Sequence, residues 1–312
     1  MIALENFLQS LIAGILIGSV YGLMCVGLGL IFGLMRVINF AQGEFLMLGM
    51  YGAFYVFGLT GLSGILGPVL AALISCLFSF FLGWMIHRFL LSKSTGTSVV
   101  GTEGDGHYQQ LILTLGVSLV MANGALLVFG NMPLSIRTPF ASQAWELGPL
   151  IGDDLLLFFN QARVIALSSS VFVTVMVFLF ISKTRLGKTL RAAADNPEAA
   201  TYMGIDVERS HRVSFALGVA ITAIAGGLVA SYYPFQPYIG LEFVVIMYAG
   251  VVLGGLGSII GCFWGGMIIG IVQQLSALVL PMQLQNGTIF VLFLLVILFR
   301  PQGLFGKNVE RV

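Results

Sequence analysis

From Leu8 to Gly33 the chain carries no charged side chain, and from Phe243 to Phe299 it carries none again. About 20 consecutive apolar residues are enough for one helical crossing of a bilayer. Further apolar runs of that order lie at roughly 39 to 59, 65 to 90, 109 to 130, 163 to 182 and 213 to 233. In hydrocarbon each backbone N–H and C=O must be paired within its own segment, so these runs are expected to be helices. The last run is broken by Gly254, Gly255, Gly257 and Gly261, and again between Pro281 and Gly287, which divides it into two or three crossings. The expectation is an all-α polytopic transmembrane helical bundle of nine spans, within a range of eight to ten, forming one domain over residues 1–312.

Composition agrees. The chain is 58% hydrophobic and 9% charged, against about 25% charged in soluble proteins. At a mean hydropathy of +1.01, its apolar side chains exceed what one buried core can take up, and the lipid bilayer must solvate the rest. The net charge of +1 lacks the basic footprint of a nucleic-acid binder. Cys25, Cys76 and Cys262 all lie inside apolar runs, without metal-ligand spacing, and read as small core residues.

Charge sets the expected direction. The connections at 87–108, 183–212 and 300–312 hold two, six and three Lys or Arg, and Arg36 adds one at the first turn. Only Arg137 and Arg163 remain for the opposite side. The positive-inside rule then places the N-terminus outside and the C-terminus, with Arg300, Lys307 and Arg311, in the cytoplasm. No basic segment precedes the first run, so it reads as a retained helix rather than a cleaved signal. The external segment 131–162 carries Pro133, Pro139, Pro149, Trp145, Asp153 and Asp154 and is a candidate docking surface, while Ser92 to Gly106 reads as a flexible loop.

Two features interrupt the apolar pattern. Asn39, Gln42, Gly43 and Glu44 sit between apolar runs, where a carboxylate at the bilayer centre costs ~2.5–3.5 kcal/mol. One reading is a broken helix that lines a permeation path, its freed backbone groups satisfied by protein or water. The other is an interfacial turn with Glu44 hydrated and Arg36 snorkelling. Glu242, after Pro237 and Gly240, reads as interfacial. Thr114, Gly116 and Ser118 punctuate the fourth span, either for a polar solute or for bonds between helices. The second feature is a pair of glycine ladders, Gly14, Gly18 and Gly22 and then Gly257, Gly261 and Gly265, each expected to form one small helical face for close packing. His87, His107 and His211 fall in loops or at span ends, without the partners of a metal site or catalytic dyad.

The long polar connection 183–212 is the most informative. Asp195 or Asn196 can cap a short surface helix starting at Pro197, with Glu198 in its first turn and Gly204 closing it. Gly187-Lys188-Thr189 is not a phosphate loop, since Ser182 stands where the earlier glycine is required. The short helix is either an interfacial linker or a surface received by another subunit.

Here a resemblance bears on the choice. Glu198-Ala199-Ala200, followed after three residues by Gly204, resembles the EAA coupling motif of ABC importer permeases. The wider segment from Ala193 to Ile205, together with Asn39-Phe-Ala-x-Gly-Glu44 and Val252-Leu-Gly-Gly-Leu-Gly-Ser258, resembles the branched-chain amino acid ABC transporter permease family, LivH-type. The resemblance implies a non-catalytic permease subunit of a bacterial inner-membrane importer, working by alternating access with a second homologous, LivM-type permease, two ABC ATPase subunits and a periplasmic solute-binding protein. No cofactor would be bound by this chain, ATP and Mg being held by the ATPases. By carry-over, Arg191, Asp195, Asn196, Pro197, Glu198, Ala199, Ala200 and Gly204 would couple to an ATPase. Asn39, Gln42, Gly43 and Glu44, with Thr114 and Ser118, would line or brace the path. Many family members carry His where this chain has Gln42, which weakens a proton or charge role there. Branched-chain or other hydrophobic amino acids are the implied solutes, with urea, short amides or aromatic acids as alternatives within the family. A secondary transporter would need ionisable groups deep in its spans, and Glu44 is the one candidate.

Overall fold

The computed structural model describes residues 2–61, 64, 66–92, 105–148, 156–300 and 302–306. The long helices are α1 Ile2–Met35, α2 Gln42–Thr60, α3 Gly67–Ile86 and α4 Asp105–Phe129, followed by α5 Gln161–Lys183, α6 Arg185–Asp195 and α7 Pro197–Tyr202. Then come α8 Val207–Val229, α9 Ile239–Gly254, α10 Ile259–Ser276 and α11 Met282–Phe299. Between α4 and α5 lie one helical turn, Pro139–Ser142, and a hairpin of β1 Ala144–Leu147 and β2 Leu157–Asn160, with Trp145 opposite Phe159. Asp153, Asp154 and Pro149 of the expected docking surface, the Ser92 to Gly106 loop apart from its ends, and Lys307 and Arg311 lie outside the described residues.

Among the described residues, six helical segments are long and apolar enough to cross a membrane: Leu4–Met35, Gly67–Leu91, Gln109–Phe129, Gln161–Lys183, Val207–Val229 and Ile259–Ser276. With α2 and the shorter apolar helices Ile239–Gly254 and Leu284–Phe299, nine long helices are present among the described residues. The chain is a multi-pass membrane protein. Four of the six apolar runs named up to residue 233 match their helices closely at both ends, and the first, read from Leu8, begins at Ile2. The sixth, read from 213, begins at Val207, because Asp206 caps α8 by accepting from the Arg209 N–H at 2.9 Å.

Burial sorts these helices. In the apolar windows of α1 and α8, 83% of residues are buried, against 22% in α4 and α5. α1 and α8 therefore form the centre, where α8 packs on α1, α2 and α3, and α1 packs on α10. Small residues make this approach close: a Cβ on Gly27 of α1 would stand 2.8 Å from the Gly218 carbonyl of α8. Backbones at that distance gain packing that lipid cannot supply.

The glycine ladders divide differently from the expectation. Gly14, Gly18 and Gly22 do form one face, directed at α10, where a Cβ on Gly18 would lie 2.6 Å from the Met267 carbonyl. They meet Gly266 and Gly270, one residue along from the second ladder. Gly261 and Gly265 instead face α9, a Cβ on Gly265 coming within 2.8 Å of the Gly254 amide nitrogen. Gly257 is not helical: it precedes α10 with φ 89°, in a turn that a side chain would strain. α10 thus presents two small faces, because it is wedged between α1 and its own hairpin partner. Cys25 and Cys262 are buried free thiols and Cys76 is partly buried.

Candidate translocation node and coupling segment

α1 ends because Arg36 turns left-handed, with φ 55°, and residues 37–41 run without helical structure before α2 begins at Gln42. The freed groups are answered by side chains. Asn39 Oδ1 accepts from the Ala41 N–H at 3.1 Å, and Asn39 Nδ2 donates to Gln42 Oε1 at 2.8 Å. Gln42 Nε2 donates to Thr222 Oγ1 at 2.5 Å and to the Gly218 carbonyl at 3.3 Å. Phe40 N–H donates to Thr114 Oγ1 at 3.4 Å, and Thr114 donates in turn to the Leu111 carbonyl at 3.1 Å. The broken segment is therefore stitched to α4 on one side and α8 on the other.

Glu44 stands in the first turn of α2, where the positive end of the helix dipole favours a carboxylate. Ser118 of α4 donates to its Oε1 at 3.3 Å, while Oε2 has no hydrogen-bond partner. Gly240 of α9 closes over it. Asn39, Gln42 and Glu44 are each at most 1% exposed. The interfacial alternative, with Glu44 in water, is thus not the arrangement found: packing of α4, α8 and α9 around the break removes it from solvent. Glu242, by contrast, is exposed, in the first turn of α9.

The expected path residues Asn39, Gln42, Glu44, Thr114 and Ser118 all meet at this node, and Gly43 presses on the Gly240 carbonyl. Gly116, between the two polar residues of α4, faces open space instead. Sequence reasoning missed Thr222, Gly218 and Gly240. Thr222 is a single hydroxyl in an apolar run, and its relation to Gln42 spans 180 positions. Periodicity carries no signal for such a pair.

The coupling segment holds two helices where one was expected. Thr184 caps α6 by accepting from the Gly187 N–H at 3.0 Å. α6 buries Gly187, Leu190 and Ala193 against the bundle. Of the two candidate caps for α7, Asn196 is used, accepting from the Ala199 N–H at 3.0 Å, while Asp195 ends α6. Gly204 closes α7 with φ 79°. The Gly204 N–H donates to the Thr201 carbonyl at 3.0 Å and the Ile205 N–H to Ala200 at 2.9 Å, the paired bonds of a Schellman closure. Glu198 and Ala199 are exposed and Ala200 faces inward, while Tyr202 and Met203 are 89% and 82% exposed. Tyr202 and Met203 are thus large apolar side chains held outward on a doubly capped turn.

One cavity adjoins the coupling segment and another lies toward the C-terminal end of α2. The first, of about 570 Å³, joins Arg191 and Asp195 of α6 to Gly33, Leu34, Ser258 and Phe305, linking the coupling segment to the glycine-rich turn between α9 and α10. The other, of about 420 Å³, lies between Phe54, Phe57, Pro133 and Arg137. Neither is lined by the node residues. Among the described residues no cluster of His, Cys, Asp and Glu is placed to hold a metal.

Residues 10–299 match the family described as branched-chain amino acid transport system / permease component. The chain is 29% identical over 316 residues to the high-affinity branched-chain amino acid transport system permease protein LivH of Escherichia coli K12, covering 98% of each chain. It is 29% identical over 313 residues to BraD of Pseudomonas aeruginosa, a permease of the same description, again with 98% of each covered. An autoinducer 2 import system permease, LsrD of Photorhabdus temperata, is 30% identical over 215 residues, 64% of each chain. With its bundle of long apolar helices and its match from end to end, this chain belongs to the branched-chain amino acid transport system permease family.

Proposed function

We propose that this chain is a membrane subunit of an ATP-driven importer for branched-chain or other hydrophobic amino acids, with separate ATPase and binding-protein subunits. The observation that carries the coupling role is α7: a six-residue helix capped by Asn196 and Gly204 that holds Tyr202 and Met203 outward. A partner ATPase receives α7, and its ATP-driven motion passes through α6 and α8 to the bundle. α8 is the direct link, since it starts three residues after Gly204 and carries Gly218 and Thr222 of the node. The node then opens alternately to the two sides as α4 and α9 part from Glu44. The N-terminus is external and the connection 183–212 cytoplasmic, on the distribution of Lys and Arg. A second permease completes the pathway. The amino-acid solute class follows the relatives LivH and BraD, whose names state it.

The test is uptake into proteoliposomes holding this chain, its partner permease, the ATPases and the binding protein. ATP-dependent accumulation of labelled leucine is expected. Urea uptake without leucine uptake would move the solute to the amide branch, and transport by this chain alone would overturn the ATP-driven reading.

A further inference from the structure

A separate cluster lies where α3 passes into the π-helical turn His87–Leu91, beside the first turns of α8. π-turns inside helices are frequent at functional sites. His87 is 0% exposed and neither ring nitrogen has a hydrogen-bond partner. Its ring lies 5.9 Å from Phe215, and it is within electrostatic reach of His211 and Arg212. The guanidinium groups of Arg88 and Arg212 both stand over the ring of Trp84, at 5.2 and 5.6 Å from its centre. Arg212 pairs with Glu208 at 2.5 Å, yet its Nε is buried without a partner. Glu208 offsets one of the two guanidinium charges and leaves the cluster positive.

The setting of this charge identifies its counterpart. Arg88 is exposed, and around it Phe81, Met85, Phe89 and Leu90 are exposed large apolar residues at the end of a membrane-crossing helix. A water-soluble anion would meet the two guanidinium groups but not the apolar wall beside them. A phosphodiester carrying acyl chains meets both. Guanidinium forks bind phosphate oxygens in pairs, and basic sites at the membrane interface take anionic headgroups.

We propose that Arg88 and Arg212 hold the phosphate of an anionic phospholipid, with its acyl chains along Phe81, Met85, Phe89 and Leu90. The site is independent of the transport reading. Because Arg212 lies eight residues beyond Gly204, occupancy would brace the start of α8 next to the coupling segment.

The test is native mass spectrometry of the purified, delipidated full chain titrated with phosphatidylglycerol, phosphatidylcholine or inorganic phosphate. Phosphatidylglycerol is expected to remain bound and phosphatidylcholine to wash off. Arg88→Gln, an exposed position whose loss leaves the core intact, is expected to weaken retention about tenfold, the scale of one charge-assisted contact. Arg88→Lys should fall between, having charge without the fork, and Arg185→Gln on α6 should match the parent. Equal retention by Arg88→Gln and the parent, or equal loss in Arg185→Gln, would overturn the site. Displacement of the lipid by millimolar inorganic phosphate, with phosphate itself retained, would reassign it to a soluble anion.

Discussion

A Cβ at position 240 would stand 2.8 Å from the carboxylate carbon of Glu44 and 2.8 Å from each of its oxygens. Gly240 of α9 is thus the lid on the buried acid of α2, where an added methyl group would crowd the carboxylate.

Gly240→Ala must displace the Glu44 carboxylate or α9, and overpacking of this kind costs about 1–3 kcal/mol. Uptake by the reconstituted importer is expected to fall at least severalfold. Gly116→Ala on α4, where an added Cβ meets nothing within 4 Å, should transport as the parent does. Equal uptake by the two variants would show that the contact with Glu44 is not needed.

Glu44→Gln keeps the shape and an oxygen for the Ser118 hydroxyl, while removing the cost of holding a charge out of water. Its melting temperature in detergent is expected to equal or exceed the parent value. A clear decrease would mean that the ionised carboxylate stabilises the fold through a partner still to be identified.

Gln42→Leu removes the amide that joins Asn39 to Thr222 and Gly218. The partners are buried, so each is left short of a bond at roughly 1–3 kcal/mol. Thr222→Val removes less, nearer the ~0.6 kcal/mol average for bonds between membrane helices. Thermal unfolding should rank them parent, Thr222→Val, Gln42→Leu, and the reverse order would refute the bracing role.

Gly204→Val places a β-branched side chain at φ 79°, a left-handed conformation costing about 1–2 kcal/mol for an L-residue. α7 should lose its closure while the spans remain assembled. The expected signature is ATP hydrolysis without proportionate uptake, with Gly204→Asn retaining more coupling, since Asn tolerates this conformation. Parallel loss of hydrolysis and uptake in both variants would argue for misfolding instead.

Gly266→Val drives a side chain into the α1 backbone, where a Cβ would lie 2.6 Å from the Gly22 Cα. Loss of a monodisperse peak on gel filtration is expected. Gly124→Val on α4, facing open space, should elute normally.

The bundle, its helices up to α5 and the capped turn at Pro197 were legible in the sequence because each depends on local rules. An apolar run long enough for a bilayer must pair its own backbone, and Asn-Pro-Glu before a glycine is a cap on any helix. The family resemblance rested on the same local patterns. What sequence left open was how helices far apart in the chain face one another. Glu44 was readable as hydrated or buried, and only the packing of α4, α8 and α9 around it removed it from water. Gly257 fell into step with Gly261 and Gly265 by spacing, yet the chain turns there. Gly266 and Gly270 meet α1 because α10 is rotated to serve two neighbours at once. Thr222 and Gly240 belong to the node for the same reason: their partners are set by the orientation of whole helices, which local periodicity constrains to a face but not to a neighbour.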